Sequence, residues 1–138
     1  MKIELALNEG SIKLKKNKIR SSLLDSEILM SKAIKKDRKY VILNLNKEIS
    51  EDHYIYYKKL INERSKGKPI AYLTKSKSFW EYEFYINEKV LIPRKDTEII
   101  IEQILNIFRN KNKINILEIG IGSGCILLSI LKEKRNFL

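Results

Sequence analysis

Seven residues near the end of the chain combine glycine with a carboxylate in a spacing that can bind a ligand through the main chain. The segment reads Glu118-Ile119-Gly120-Ile121-Gly122-Ser123-Gly124. Glycines at alternate positions let the backbone turn sharply and approach a ligand without obstruction by a Cβ atom. A helix that follows such a turn offers unpaired amide N–H groups at its start. The segment therefore predicts a cofactor-binding turn, and a purely structural turn is the alternative.

The spacing of the glycines bears on the class of ligand. The dinucleotide fingerprint is Gly-x-Gly-x-x-Gly, and here the third glycine, Gly124, comes one residue early, which points away from NAD. Glu118 directly precedes the glycines, and its negative charge would favour a cationic part of a ligand, such as the amino group of S-adenosylmethionine, over a pyrophosphate. The alternative for Glu118 is a carboxylate that caps nearby turn amides.

Metal and covalent chemistry find little support in the composition. The chain has one cysteine, Cys125, and one histidine, His53. A single cysteine excludes an internal disulfide framework, and the two residues together cannot build a Cys/His zinc cluster. We interpret His53 as a helix-surface residue and Cys125 as a small apolar filler. The sequence thus predicts no metal site. A Cys/His nucleophilic dyad rests on nothing beyond the presence of both residues, and we assign no catalytic residue within the chain.

The elements around the glycine turn are predicted from short apolar patterns. An apolar strand is expected over 114–119 and a helix after the turn, and strand, glycine turn and helix together open an α/β nucleotide-binding fold. Before the strand, 97–108 is expected to be a helix capped by Asp96 or Thr97. Its inward residues are predicted to be Ile100, Ile101, Ile104, Leu105 and Phe108.

The first half of the chain predicts a small helical bundle. Apolar residues at helical spacing indicate a first helix on Ile3, Leu7 and Leu14, and a second on Leu24, Ile28, Leu29 and Ala33. Asp37 is expected to open a short third helix carrying Tyr40, Val41 and Leu43, and Ser50 to cap a fourth carrying Tyr54, Tyr57 and Ile61. Gly67 followed by Pro69 is the expected end of that fourth helix.

Aromatic and branched residues change the pattern between the two halves. They fill 76–92 in short runs and predict a hairpin-like connector that Pro93 ends. The predicted fold class is therefore α/β, with an amino-terminal helical bundle, a hairpin linker and the start of a Rossmann-like domain. The expected domains are 1–70, 71–95 and 96–138.

Charge and hydropathy limit the partners of the chain. The net charge is +11, and residues 1–70 hold 17 basic and 9 acidic residues, a net +8 that would attract nucleic acid or an acidic surface at low salt. The 22 lysines against 6 arginines can instead reflect coding composition, and no aromatic-rich nucleic-acid motif accompanies them. No apolar stretch approaches the roughly 20 residues needed to cross a bilayer and no secretory signal is evident, so we expect a cytoplasmic protein without a membrane partner.

Four sequence blocks together point to one family. They are 67–73 (Gly-Lys-Pro-Ile-Ala-Tyr-Leu), Phe79-Trp80, 91–98 (Leu-Ile-Pro-Arg-Lys-Asp-Thr-Glu) and the glycine turn. In these blocks the chain closely resembles the release factor glutamine methyltransferase family, also called the HemK family. The Ile-Pro-Arg block is the most specific of them, because methyltransferases in general share the glycine turn but not this block. The resemblance covers nearly the whole chain.

The resemblance implies an S-adenosylmethionine-dependent enzyme that methylates the glutamine side-chain amide in the Gly-Gly-Gln loop of peptide chain release factors. It implies that the cofactor is cradled by Gly120, Ile121, Gly122, Ser123 and Gly124, with Glu118 beside it. It also implies that Pro93, Arg94 and Thr97 border the pocket. Lys95 departs from the proline that the family often has in this block.

Two features of the family are not found in the sequence. An acidic residue that would hold the ribose is expected about 20 residues beyond the glycines, past position 138. The family's Asn-Pro-Pro-Tyr motif is also absent, since prolines occur only at 69 and 93. We therefore expect a fragment of a longer enzyme, with an incomplete catalytic half that transfers no methyl group by itself. The alternative is a non-enzymatic module whose basic helical half docks on a release factor or on RNA.

Overall fold

The chain folds into two compact units in the computed structural model, which describes residues 1–111 and 113–133. The first unit is Met1–Thr74 and the second begins at Lys75. The first unit contains α1 (Ile3–Lys16), α2 (Ser22–Ile34), α3 (Arg38–Leu43), α4 (Glu51–Ser65) and α5 (Ile70–Thr74). The second contains β1 (Ser76–Phe79), β2 (Tyr82–Tyr85), a 3₁₀ turn (Lys95–Thr97), α6 (Glu98–Ile107) and α7 (Cys125–Glu133).

Cross-contacts define how the helices of the first unit run. The Tyr54 hydroxyl donates to the Glu9 carboxylate, and Lys13 Nζ donates to Asn62 Oδ1 at 3.0 Å, so α1 and α4 lie side by side and run in the same direction. Helix α2 runs in the opposite direction, since Asp25 near its start accepts a hydrogen bond at 2.7 Å from Arg64 near the end of α4. The starts of α1 and α4 therefore share one end of the unit, and their carboxyl ends share the other.

Two of the predicted helix starts are confirmed by their capping geometry. The Asp37 side chain accepts a hydrogen bond from the Tyr40 amide at 2.8 Å, and the Ser50 hydroxyl accepts from the His53 amide at 3.3 Å. Both residues have the extended backbone that an N-cap requires. Gly67 follows α4 with φ of +95°, a conformation that glycine adopts without a Cβ penalty.

The core of the first unit is apolar and lies between α1, α2 and α4. It contains most of the apolar side chains on which the helices were predicted, whereas Leu24 and Leu43 are exposed. At the start of α2 the buried positions are instead Asp25 and Ser26. Leu23 is exposed as well. In this turn the apolar side chains therefore lie on the solvent side and polar ones on the buried side, which apolar periodicity cannot predict. The buried core is Ile3, Ala6, Leu7, Leu14, Leu29, Met30, Ala33, Ile34, Val41, Tyr57, Leu60, Ile61 and Leu73.

The buried polar side chains of α2 are bonded to α1 and α4. Asp25 Oδ2 accepts from Arg64 Nε at 2.7 Å. The Ser26 hydroxyl donates to the Leu7 carbonyl at 3.0 Å and lies 2.5 Å from the Tyr57 hydroxyl. Because the Ser26 proton is used for Leu7, the Tyr57 hydroxyl donates to Ser26. These bonds offset the cost of burying the groups and fix the three helices against one another.

Two tyrosines of α4 hold their protons more tightly in the folded chain than in a free side chain. The hydrogen bond from Tyr54 to Glu9, together with burial and the Glu9 charge, raises the pKa of Tyr54 to about 12. Burial, the largest cause, also raises the pKa of Tyr57 above its usual value, although the Ser26 hydrogen bond opposes the change. In both residues the fold favours the neutral phenol.

This protonation preference predicts a loss of stability in alkali. A group whose pKa is raised by folding stabilises the folded state below its unfolded pKa of about 10, and this contribution falls as the pH rises towards the folded pKa. We expect the free energy of unfolding to decrease between about pH 10 and pH 12. In Tyr57→Phe the decrease should be less steep, and the two slopes should differ by up to about 1.4 kcal/mol per pH unit. Urea titrations at stepped pH measure both slopes. Equal slopes would contradict the prediction, and the lysines, common to both proteins, cancel in the comparison.

A hairpin opens the second unit. Strands β1 and β2 pair antiparallel with Ser76 opposite Tyr85 and Phe79 opposite Tyr82. Phe79 and Phe84 are buried and meet edge to face, with ring centroids 6.3 Å apart. The hairpin predicted within 76–92 is therefore present, although it occupies only the first part of that segment.

Helix α6 begins without the predicted side-chain cap. Neither Asp96 nor Thr97 caps it, because Thr97 already lies in a 3₁₀ turn, with φ −70° and ψ −17°, and its amide bonds to the Arg94 carbonyl. A side-chain cap needs extended backbone at that position. Of the side chains predicted to point inward, Ile101 is fully buried, whereas Ile100 is 44% exposed.

The predicted strand over 114–119 is not found. The segment has no regular secondary structure, and Leu117 and Ile119 are 86% and 91% exposed. A β-strand forms by hydrogen bonding to a neighbouring strand, and the described residues supply no partner for this segment. The α/β class is thus represented by helices and one two-stranded sheet, and the Rossmann-like start stays a prediction.

Within residues 1–111 and 113–133, none of the helices combines the length and the apolar composition of a membrane span. In the same ranges no group of histidine, cysteine, aspartate and glutamate side chains is arranged to hold a metal ion.

Candidate functional site

The glycine turn has the backbone conformation that requires glycine. Gly120, Gly122 and Gly124 have φ values of +79°, +54° and +75°. Other L-residues rarely adopt this region, because the Cβ atom is placed too close to the backbone. The three alternate glycines therefore produce a tight reversal of the chain directly before α7.

Hydrogen bonds connect this turn to α7. The Gly124 amide donates to the Ile121 carbonyl at 2.8 Å, and the Gly124 carbonyl accepts from the Leu128 amide at 2.9 Å. Glu118 Oε2 accepts from the Leu127 amide at 3.3 Å. Leu127 lies in the first turn of α7, so the Glu118 carboxylate contacts the start of that helix, where the helix dipole favours negative charge.

The outer side of the turn is open at two of its glycines. A Cβ atom added to Gly120 would meet nothing within 4 Å, and one added to Gly122 would meet only the Gly120 carbonyl oxygen at 3.8 Å. At Gly124 the added atom would instead contact the Leu128 side chain at 3.2 Å. The first two glycines therefore leave main-chain atoms open to a ligand, whereas at Gly124 a side chain would press against Leu128 of α7.

The three predicted pocket residues of the Ile-Pro-Arg block lie just before α6. Pro93 and Thr97 are half-buried, whereas Arg94 is exposed and forms no ion pair with any described residue. Glu98 Oε1 accepts from the Trp80 amide at 2.9 Å, which attaches the block to the hairpin turn. Helix α6 packs against α7, so the block and the glycine turn precede two neighbouring helices.

A single carboxylate attaches the hairpin to the end of α7. Glu133 Oε1 accepts from Trp80 Nε1 and from the Tyr82 hydroxyl, both at 2.9 Å. The preceding residue, Lys132, places its ammonium nitrogen 4.1 Å from the centre of the Tyr82 ring, within the range of a cation–π interaction. Trp80 has φ of +55°, an unusual conformation for a bulky residue at the point where the hairpin meets two helices.

A cavity of about 520 Å³ lies beside these contacts. This volume is within the usual range for small-molecule sites. Its wall is formed by residues of β2, α7 and the glycine turn, and Ser123 is the one predicted site residue among them. The lining residues are Tyr82, Glu83, Phe84, Tyr85, Ser123, Leu128 and Lys132.

Sequence reasoning did not identify Glu133 or the tyrosines of β2 as part of this region. Glu133 lies 53 residues from Trp80 and 51 from Tyr82, and a single glutamate at the end of a short helix has no local signature. Of the residues in this contact, sequence analysis had singled out only Trp80, as part of the Phe79-Trp80 pair. The remaining members become visible only once α7 and the hairpin are adjacent.

Comparison with known proteins gives a family match in the first unit. The family model described as the PrmC N-terminal domain matches residues 6–74. This range covers half of the chain and ends where the first structural unit ends.

Curated relatives match over nearly the whole chain. A release factor glutamine methyltransferase of Clostridium acetobutylicum is 39% identical over 136 residues, which are 99% of this chain and 48% of the relative. One of Leptospira interrogans is 38% identical over 125 residues, covering 90% of this chain and 44% of the relative. A bifunctional methyltransferase of Rickettsia typhi is 35% identical over 152 residues, covering 97% and 29%. The chain thus spans less than half the length of these relatives.

Proposed function

Because the chain belongs to the PrmC (HemK) family of release factor glutamine methyltransferases, we propose that it supplies the substrate-recognition domain, linker and cofactor turn of such an enzyme. The proposed reaction transfers a methyl group from S-adenosylmethionine to the side-chain amide of glutamine in the Gly-Gly-Gln loop of a release factor. The observation that carries this proposal is the open backbone at Gly120 and Gly122, combined with relatives that match on both sides of it.

The residue types and the backbone conformation of the glycine turn are suited to binding S-adenosylmethionine. The positive φ values leave main-chain atoms accessible, and a Cβ at Gly120 or Gly122 would project into the space that the ligand needs. We propose that these glycines, with Ile121, Ser123 and Gly124, hold S-adenosylmethionine, which supplies the methyl group when bound. Glu118 acts through its hydrogen bond to Leu127, which orients the first turn of α7.

We propose that Pro93, Arg94 and Thr97 border the same pocket. Arg94 is the exposed cation of this group, and the bond between Glu98 and the Trp80 amide keeps the block against the hairpin. Catalysis in this class is mainly a matter of positioning, because the attacked nitrogen must be desolvated and aligned. No general acid or base from this chain is needed for that step.

The 138 residues alone are not expected to catalyse methyl transfer. Leu117 and Ile119 are almost fully exposed, and a parallel sheet needs both of its faces buried. The family features that the sequence lacks, the ribose-binding acid and the Asn-Pro-Pro-Tyr motif, would have to come from elsewhere. We therefore propose that activity requires the remaining part of the domain.

A chimera tests this function. Residues 1–133 of this chain would replace the matching residues of the Clostridium acetobutylicum relative, and methyl transfer from labelled S-adenosylmethionine to a release factor would be measured. We expect the chimera to be active and Gly122→Val in the chimera to lose activity by more than about 100-fold, because the branched side chain misplaces the ligand. Lys89→Ala, at an exposed position outside the proposed recognition domain and the proposed cofactor site, is the control and should leave the rate unchanged.

The outcome that contradicts the proposal is equally specific. A chimera that is folded by circular dichroism and binds the release factor, but transfers no methyl group, would show that this chain does not provide a working cofactor turn. Methyl transfer by the unextended chain would contradict the proposed need for the remaining strands.

A further inference from the structure

The positive charge of the first unit is concentrated at one of its ends. Residues 13–25 and 59–68 contain nine basic and two acidic residues, a net charge of +7. The rest of Met1–Thr74 contains eight basic and seven acidic residues, a net charge of +1. We call these two segments the basic end. Its basic residues are Lys13, Lys15, Lys16, Lys18, Arg20, Lys59, Arg64, Lys66 and Lys68.

The fold brings the two segments together although some forty positions separate them in the chain. Lys13 Nζ lies 3.0 Å from Asn62 Oδ1, and Arg64 Nε lies 2.7 Å from Asp25 Oδ2. The carboxyl ends of α1 and α4 and the start of α2 therefore meet at the basic end. In the sequence the lysines look scattered, and only the packing of these helices gathers them.

Both acids of the basic end are already in ion pairs within it. Asp25 is buried against Arg64, and Glu63 Oε1 lies 3.1 Å from Lys66 Nζ, which lowers the pKa of Glu63. Most of the other cations, including Lys15, Lys16 and Lys18, are exposed to solvent. The excess charge is thus directed to the outside.

Helix stability does not account for this arrangement. Cations at the end of α1 interact favourably with its dipole, but Lys18 and Arg20 also lie just before the start of α2, where positive charge is unfavourable. The two dipole effects oppose each other in this turn. Lys18 in addition has φ of +60°, a conformation that glycine or asparagine would adopt at lower cost.

We propose that the basic end binds the phosphate backbone of RNA, without sequence preference. Seven of its nine cations are lysines, which act as flexible point charges and suit irregularly spaced phosphates, whereas paired recognition of carboxylates favours arginine. One of the two arginines, Arg64, is committed to Asp25. A net +7 on one end of a small unit matches the linear charge density of a nucleic acid better than the mixed surface of a folded protein.

A salt titration with matched charge-reversal variants of the whole chain tests the proposal. The probe is a fluorescently labelled single-stranded RNA of mixed sequence. If about five phosphates are neutralised, raising the salt from about 50 mM to about 200 mM lowers the affinity about 100-fold. The variant K15E/K16E/K18E should bind at least about tenfold more weakly, with a shallower salt dependence.

The control variant carries the same charge change at the opposite end of α2. K35E/K36E/K39E also reverses three lysines at a helix end, and Lys35, like Lys18, has a positive φ. This variant should change the RNA affinity by no more than about threefold, because the Debye length limits its effect at the basic end. Circular dichroism of both variants checks that they are folded.

Three outcomes would overturn the proposal. One is an equal loss of affinity in the two charge-reversal variants, which would indicate a response to net charge alone. Another is equal affinity for polyglutamate and for RNA. In the third, K15E/K16E/K18E loses release-factor binding but keeps RNA binding. If L23S/L24S, which changes two exposed apolar residues, also loses release-factor binding, the basic end would be assigned to a protein partner. None of these measurements depends on methyl transfer.

Discussion

Replacing Arg64 by methionine is expected to destabilise the first unit by about 3–5 kcal/mol, because it leaves a charge buried without its partner. Asp25 is only 6% exposed at its side chain, and Arg64 Nε is its ion-pair partner at 2.7 Å. Arg64 Nη1 also donates to the Lys68 carbonyl at 3.0 Å, beyond the end of α4. A loss of this size is a large fraction of the usual stability of about 5–15 kcal/mol.

The chain provides a matched control for this substitution. Arg38 Nε contacts Glu27 Oε2 at the same distance, 2.7 Å, but the two side chains are 51% and 13% exposed. Arg38→Met should cost less than about 1 kcal/mol, because solvent screens the pair. Urea unfolding followed by far-ultraviolet circular dichroism measures both variants. Equal losses would show that burial of the Asp25 pair does not determine its contribution.

Gly10→Ala is expected to destabilise the same unit by about 1–3 kcal/mol, although alanine is normally the better helix former. The new Cβ atom would overlap the Tyr57 hydroxyl oxygen and lie 2.9 Å from the Tyr57 Cζ atom. Tyr57 cannot move away freely, because it is buried and bonded to Ser26. The close packing of α1 on α4 therefore requires glycine at this position.

A double variant separates the steric effect from helix propensity. Removing the hydroxyl in Gly10→Ala/Tyr57→Phe should recover part of the loss, so that the two substitutions are not additive. Asn8→Ala, at an exposed position of α1, is the control and should stabilise slightly. Additive losses would show that the Tyr57 hydroxyl is not the cause of the clash. A stable Gly10→Ala variant would mean that α1 and α4 can separate at little cost.

The parts of the fold that the sequence predicts are those with local causes. Asp37 and Ser50 were identified as caps because the bonds they make reach only three residues along the chain. The pair between Asp25 and Arg64 spans 39 residues and has no local signature. The exposure of Leu24 was not predictable for a related reason, since only packing decides which face of α2 is buried.

The same distinction holds for the candidate site. The three glycines have the positive φ values that a sharp turn needs, and this follows from residue type alone. The prediction that Asp96 or Thr97 caps α6 was wrong, because the sequence does not show that a 3₁₀ turn precedes this helix. The strand over 114–119 was predicted from its apolar pattern, but pairing requires a second strand, which no local pattern supplies.

The contact between Trp80 and Glu133 has a practical consequence. Trp80 is the only tryptophan of the chain, and its indole and amide groups are bonded to α7 and α6. Its emission spectrum is therefore a label-free optical signal from the second unit, while the helical unit is silent at excitation wavelengths selective for indole. Intrinsic fluorescence therefore follows denaturation of the second unit alone, whereas circular dichroism reports the helices of both units. A difference between the two transitions in one cuvette would show that the units unfold separately.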